Sequence, residues 1–251
     1  MVNETDPNGE LGRYVCGGYF IVKPASNSSP VEFCEICKAN LPPGEIVTLS
    51  TCLTVTLPYT WAYEWVDQAD DMRKRAGQIW GLQDSELDEF IKWTTERERA
   101  GEIGYPNMLT TLDTARELLR KFPICRDGWN LLGLGIRRDI AASYVAEYLP
   151  TRENELLPEI AKAISRGSSL DPTGRIIGYE VLGWEIDFHS WFCSLSEKDI
   201  SQELGIRPGS DGLLKSYDDA LKVASAAVRP HDAAPFGSIA WYPWAVVTYP
   251  V

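Results

Sequence analysis

Histidine is almost missing from this chain. Of 251 residues only two, His189 and His231, carry an imidazole, so histidine-rich metal sites and histidine-driven acid/base chemistry have little to draw on. Cationic excess is missing too: 24 Lys and Arg face 36 Asp and Glu, a formal net charge of −12. That balance argues against a nucleic-acid binder, which needs a basic face for phosphates. It also argues against docking on an anionic membrane. No run approaches the ~20 apolar residues that span a bilayer. The most apolar stretch, Ile239 to Val251, is broken by Pro243 and Pro250.

Other signatures are lacking as well. Leu131-Leu132-Gly133-Leu134-Gly135-Ile136 has two glycines, but neither a third at dinucleotide-binding spacing nor a Lys-Ser/Thr ending. A packing turn before a helix is the better reading. Met1 to Glu10 is polar and acidic, with no apolar core of a secretory signal. The expectation is a cytoplasmic protein whose six cysteines are mainly free thiols.

What is present suits a folded domain. Hydrophobic residues make up 44 % and charged residues 24 %, enough apolar material to offset the entropy of ordering. The acidity is not a tail: residues 1–125 hold 12 basic and 19 acidic side chains, and residues 126–251 hold 12 and 17. Residues 1–12 read as a disordered lead-in and 13–251 as a single α+β domain, with a soft boundary allowed near 126–128.

Three zones follow. Arg13 to Lys23 and Glu45 to Leu57 read as an N-terminal strand pair, with a kink at Gly17-Gly18. The middle is helical. Asp84 reads as an N-cap, Leu87, Phe90, Ile91 and Thr94 form a helix face, and Gly101 is the stop. Leu112 to Phe122, Asp139 to Tyr148 and Glu153 to Ser165 read as further helices, while Trp129 to Ile136 is strand or tight turn. The last third predicts an antiparallel sheet with helices: a strand over Arg175 to Phe188, helices capped by Ser196 and Ser216, and a terminal strand from Ile239. Pro243 predicts that this last strand lies at an edge or carries a bulge.

Several residue sets carry candidate chemistry. Cys34-Glu-Ile-Cys37 places two thiolates where they can grip one zinc from a tight turn, and Cys16 and Cys52 on the flanking strands would complete the set. The alternative is ordinary cysteines at a loop base. His189 and Cys193 suggest a thiol and its base oriented by Asp187. Against that, Phe188, Trp191 and Phe192 surround them, which suits a structural histidine. Glu180, Glu185 and Asp187 are the carboxylates best placed for a hydrolase, while most other acids read as solvated faces.

Aromatics are the remaining outlier, at nine Trp, eleven Tyr and seven Phe. Most belong in the core, but Trp and Tyr at a rim also anchor interfaces. Asp84, Glu86, Asp88 and Glu89, with Trp93 as anchor, form the candidate partner-binding patch. Complementing the helix dipole explains the same acids without a partner. The run Gly178-Tyr179-Glu180-Val181-Leu182-Gly183-Trp184, continued by Phe188-His189-Ser190-Trp191 and by Trp241-Tyr242-Pro243-Trp244, resembles stretches in bacterial immunity proteins of polymorphic or contact-dependent toxin systems. The resemblance implies a cytoplasmic, non-covalent inhibitor that covers a basic toxin, and it transfers no functional residue. The alternatives are a carboxylate-based hydrolase and a zinc-stabilised adaptor.

Overall fold

The computed structural model describes residues 9–26, 40–41, 44–54, 56–57, 82–104, 107–122, 128–147, 159–184, 188–227 and 240–250. Its frame is one antiparallel sheet of eight strands: β1 (Tyr14–Val22), β2 (Thr56–Leu57), β3 (Ile103–Gly104), β4 (Met108–Leu109), β5 (Asn130–Arg137), β6 (Arg175–Trp184), β7 (Phe188–Ser190) and β8 (Trp241–Thr248). The order is β3-β4-β1-β5-β8-β6-β7, with β2 also paired to β1. The helices are α1 (Asp84–Arg99), α2 (Leu112–Lys121), α3 (Arg138–Glu147), α4 (Glu159–Ser165), α5 (Glu197–Glu203) and α6 (Tyr217–Ala227). The fold is therefore α+β. N-terminal and C-terminal strands share one sheet through the β1–β5 and β5–β8 ladders.

Helices cover both faces of that sheet. Leu87, Phe90 and Trp93 of α1, Leu118 of α2, Ile200 of α5 and Val223 of α6 pack into one core with Tyr19, Ile21, Leu131 and Val247. Ala141 and Tyr144 of α3 and Ile160 and Ile164 of α4 pack into a second core with Phe20, Val22, Leu134, Trp244 and Val246. All nine residues of β1 are consequently buried, as expected for a strand covered on both sides. Each fully buried Leu or Phe contributes about 2 kcal/mol by leaving water.

The Gly17-Gly18 kink is a β-bulge, lying between Cys16 and Gly18 in the ladder with β5. An extra residue inverts which side chains face which core. Tyr14 and Cys16 join the first core before it, and Tyr19 and Ile21 join the same core after it. Gly18 has φ +118°, and a Cβ there would lie 2.3 Å from Met108 Cγ. A second bulge between Ile176 and Gly178 of β6 lies opposite Val246–Val247 of β8, and β8 meets β5 there at Leu134 and Gly133. The two irregularities align across the sheet and add local twist where it curls.

Several expectations are met and several revised. Helix α1 ends at Arg99, with Gly101 at φ +71°. However, Gln83 is its N-cap and Asp84 its first residue. Ser196 caps α5, and its backbone N–H donates to Asp199 Oδ2 at 2.9 Å. Among the described residues, the strand run from Glu45 yields Thr56–Leu57 beside β1 and an isolated bridge between Ala25 and Ile46. Within the expected lead-in, Leu11 is buried in a 3₁₀ turn, Leu11–Arg13. Strand β8 lies inside the sheet, not at its edge. Pro243 is tolerated because it faces only Val181 of β6; the β5 ladder begins at Ala245. A proline without an N–H fits where one side has no ladder.

Candidate functional site

The densest chemistry lies at the β7 end of the sheet. Val47 to Thr54 crosses that edge, with Leu49 in one core and Leu53 in the other. Its backbone pairs with the rest of the protein at isolated points. Val47 N–H donates to Asp211 O at 2.8 Å and Thr51 N–H to Phe188 O at 3.1 Å. Asn40 is anchored nearby, its Nδ2 donating to Phe192 O at 2.8 Å.

Two groups of polar side chains meet this segment. The first centres on Glu180 of β6, which is 2 % exposed. The Thr48 hydroxyl donates to its Oε1, and Leu49 N–H donates to its Oε2 at 3.1 Å. Burial pushes the carboxyl up to about 7, against these two bonds. The Ser190 hydroxyl, which forms no well-made hydrogen bond, also lies close enough to favour the charge.

The second group is Cys52, His189 and Cys193. One donor atom from each lies within 4.8 Å of the others. Cys52 Sγ is 3.4 Å from His189 Nδ1, and Ser50 Oγ is 3.7 Å from Cys193 Sγ. His189 comes from β7, Cys193 from the 3₁₀ turn Trp191–Cys193 and Cys52 from the crossing segment. His189 and Cys193 are buried, whereas Cys52 is half-buried and packs against the first core. Among the described residues no other such group of three or more His, Cys, Asp or Glu occurs.

Of the four cysteines expected from sequence as a metal set, one lies in this group. That one is Cys52, and Cys16 lies outside the group. On β1 beside the bulge, the Cys16 thiol accepts from Gly18 N–H at 3.3 Å, and burial raises its pKa. Cys34 and Cys37 lie outside the described residues, as do Glu185, Asp187 and His231. The pairing of Cys52 with His189 was missed because 137 positions separate them and no local spacing signals it.

Two acids of the α1 patch have partners within the chain. Glu86 Oε2 accepts from Gln83 N–H at 2.8 Å, a helix-capping bond. Glu89 pairs with Lys121 at 3.0 Å, and Asp88 is exposed. The Asp84 side chain lies outside the described residues. Trp93 is a core residue and not a rim anchor: it is 5 % exposed, and its Nε1 donates to Glu117 Oε1 at 2.9 Å. That bond, with Arg97 beside it, holds the Glu117 carboxyl below its usual range.

A cavity of about 520 Å³ opens elsewhere, lined by Tyr14, Tyr179, Tyr217, Arg13, Arg137 and Arg138 among others. The Tyr14 and Tyr179 hydroxyls are 3.2 Å apart, and the Arg137 guanidinium lies 4.6 Å over the Tyr217 ring. Burial raises all three tyrosine pKa values, so these phenols act as neutral hydrogen-bonding groups. Glu10, Asp139 and Asp218 also line the cavity and balance its arginines.

No helix among the described residues is long and apolar enough to cross a membrane. Comparisons with protein-family models, curated proteins and solved structures found no match.

Proposed function

We propose that this protein works by binding another protein, as an acidic inhibitor of the immunity type that covers a basic toxin in the bacterial cytoplasm. The observation that carries this reading is the acidic balance of charge on the described surface. Arg97 is shared by Glu102 and Glu117, Lys121 holds Glu89, Arg137 holds Asp139, Lys162 holds Glu159 and Lys222 holds Asp219. Arg138 is turned onto the Gly12 and Gly167 carbonyls. Beside these pairs, acids such as Glu96 and Asp113 are exposed, and together with a net charge of −12 they would steer a basic partner.

The test is affinity capture followed by reconstitution with the captured protein. The expected partner is basic and binds one to one. Its association rate should fall about tenfold or more as salt rises from about 0.05 M to about 0.5 M, while dissociation changes little. A neutral or acidic partner, or an association rate indifferent to salt, refutes the reading.

The hydrolase alternative draws less support. Glu180 is the one carboxylate of its candidate set within the described residues, and its hydrogen-bond partners are Thr48 and Leu49. That arrangement suits a buried structural acid better than one of a pair facing across a cleft. The adaptor alternative gains from the thiol–imidazole group at the β7 edge.

A further inference from the structure

We propose that Cys52, His189 and Cys193 form a zinc-binding site that fastens the edge-crossing segment to β7. The inference rests on donor chemistry and placement, and it is independent of what the protein binds.

Two thiols and an imidazole make up the group. Thiolate and imidazole donors select zinc among the abundant divalent ions, whereas magnesium and calcium require oxygen ligands. In a tetrahedral zinc site, bond lengths of roughly 2.3 Å to sulfur and 2.0 Å to nitrogen place neighbouring donors about 3.5–3.8 Å apart. The three donor atoms already lie within 4.8 Å of one another, and the Cys52–His189 pair stands at 3.4 Å. Small side-chain rotations complete the geometry.

Charge also balances. Zn²⁺ with two thiolates and a neutral imidazole is a neutral assembly, so burying it leaves no uncompensated charge. On binding, each cysteine exchanges its S–H bond for an S–Zn bond and releases one proton to solvent. The Ser50 hydroxyl, 3.7 Å from Cys193 Sγ, is placed to donate to the bound thiolate from outside the coordination shell. The three protein donors leave a fourth corner for water or another donor. Because His189 and Cys193 are buried and Cys52 is half-buried, that corner lies on the Cys52 side.

The three ligands come from segments joined by few backbone bonds. Val47 to Thr54 has no continuous ladder with β7; Thr51 N–H to Phe188 O is the backbone bond that joins them. A metal bridging Cys52 to His189 and Cys193 would tie the segment down where ladder bonds do not.

The experiment uses the whole chain, purified under reducing conditions, stripped with a chelator and titrated with Zn²⁺ and Co²⁺. About one zinc per chain should bind. The Co²⁺ form should show tetrahedral visible bands and a thiolate-to-cobalt charge-transfer band. Cys52→Ser and His189→Asn should each weaken zinc binding more than about 100-fold, beyond the roughly 10- to 100-fold loss expected of Ser50→Ala. Cys16→Ser should leave it unchanged. A wild-type Co²⁺ spectrum without a thiolate band overturns the proposal without any variant having to fold. So does a native Cys52–Cys193 disulfide, or zinc affinity that ignores both Cys52→Ser and His189→Asn. None of these readouts needs a partner protein, so failure here leaves the binding reading standing, and the reverse also holds.

Discussion

Replacing Glu180 with glutamine should make the protein more stable at alkaline pH and have little effect in acid. The carboxyl sits fully buried, and burial moves it from 4.5 to about 7. A folded-state pKa raised above the unfolded value means that the native state holds its proton more tightly. The resulting stabilisation is fully present below about pH 4.5, is lost as pH rises towards about 7, and is flat beyond. The full window is worth about 3 kcal/mol, of which about 2.5 kcal/mol falls between about pH 5 and about pH 8. Glutamine keeps the shape without the charge. Its carbonyl can accept from Leu49 N–H, and its amide can donate to the Thr48 oxygen. Urea unfolding followed by tryptophan fluorescence, with buried Trp191 and Trp244 as reporters, gives stability across that range. Other groups titrate too, so the quantity to plot is variant minus wild type. It should rise by about 2–3 kcal/mol between pH 5 and pH 8. A flat difference, or one that falls with pH, would refute a Glu180 kept neutral by burial. The Thr48 and Leu49 donors would then be holding it ionised.

Two further outcomes test the fold. Gly18→Ala places a methyl group 2.3 Å from Met108 Cγ at φ +118°. It should destabilise by about 3 kcal/mol from strain and overpacking together, with thermal unfolding as the readout and partial relief from Met108→Ala. Thr111→Ala removes the side-chain oxygen that accepts from Thr114 N–H at 3.1 Å. It should cost about 1 kcal/mol in urea unfolding, and an unchanged midpoint would show that the α2 cap is idle.

Two local signals in the sequence transferred directly to the structure, while the α1 cap fell one residue before the expected Asp84. The end of α1 at Gly101 and the cap of α5 at Ser196 depend on neighbours a few positions away, and both were legible. The position of β8 was not. Pro243 spoke for an edge because a proline cannot serve a two-sided ladder, yet the strand has one neighbour at that residue and two beyond it. The β5–β8 ladder ends at Gly135–Ala245 although β5 runs on to Arg137 beside β1, a divergence the β8 sequence does not encode. Val47 to Thr54 alternates like a strand, but its polar groups are drawn to Glu180, Phe188 and Asp211, all distant in sequence. The candidate site divides the same way. Cys52 was singled out for its thiol, and His189 and Cys193 for their adjacency, but their assembly is a product of the edge crossing. Trp93 shows the converse: its place among acids suggested a rim, and the 3.6-residue period that also holds Leu87 and Phe90 turned it inward.

The ends of the sheet bear on how copies of this protein coexist at high concentration. A strand edge with unpaired N–H and C=O groups is a template onto which another chain can add, the first step toward fibrillar aggregation. Here the terminal strands are two and three residues long, Ile103–Gly104 and Phe188–Ser190. The latter is also crossed by the Thr51 contact to Phe188. A partner strand would find too little backbone at one end and an occupied carbonyl at the other. The segment that carries Cys52 to that edge therefore also blocks templated growth there.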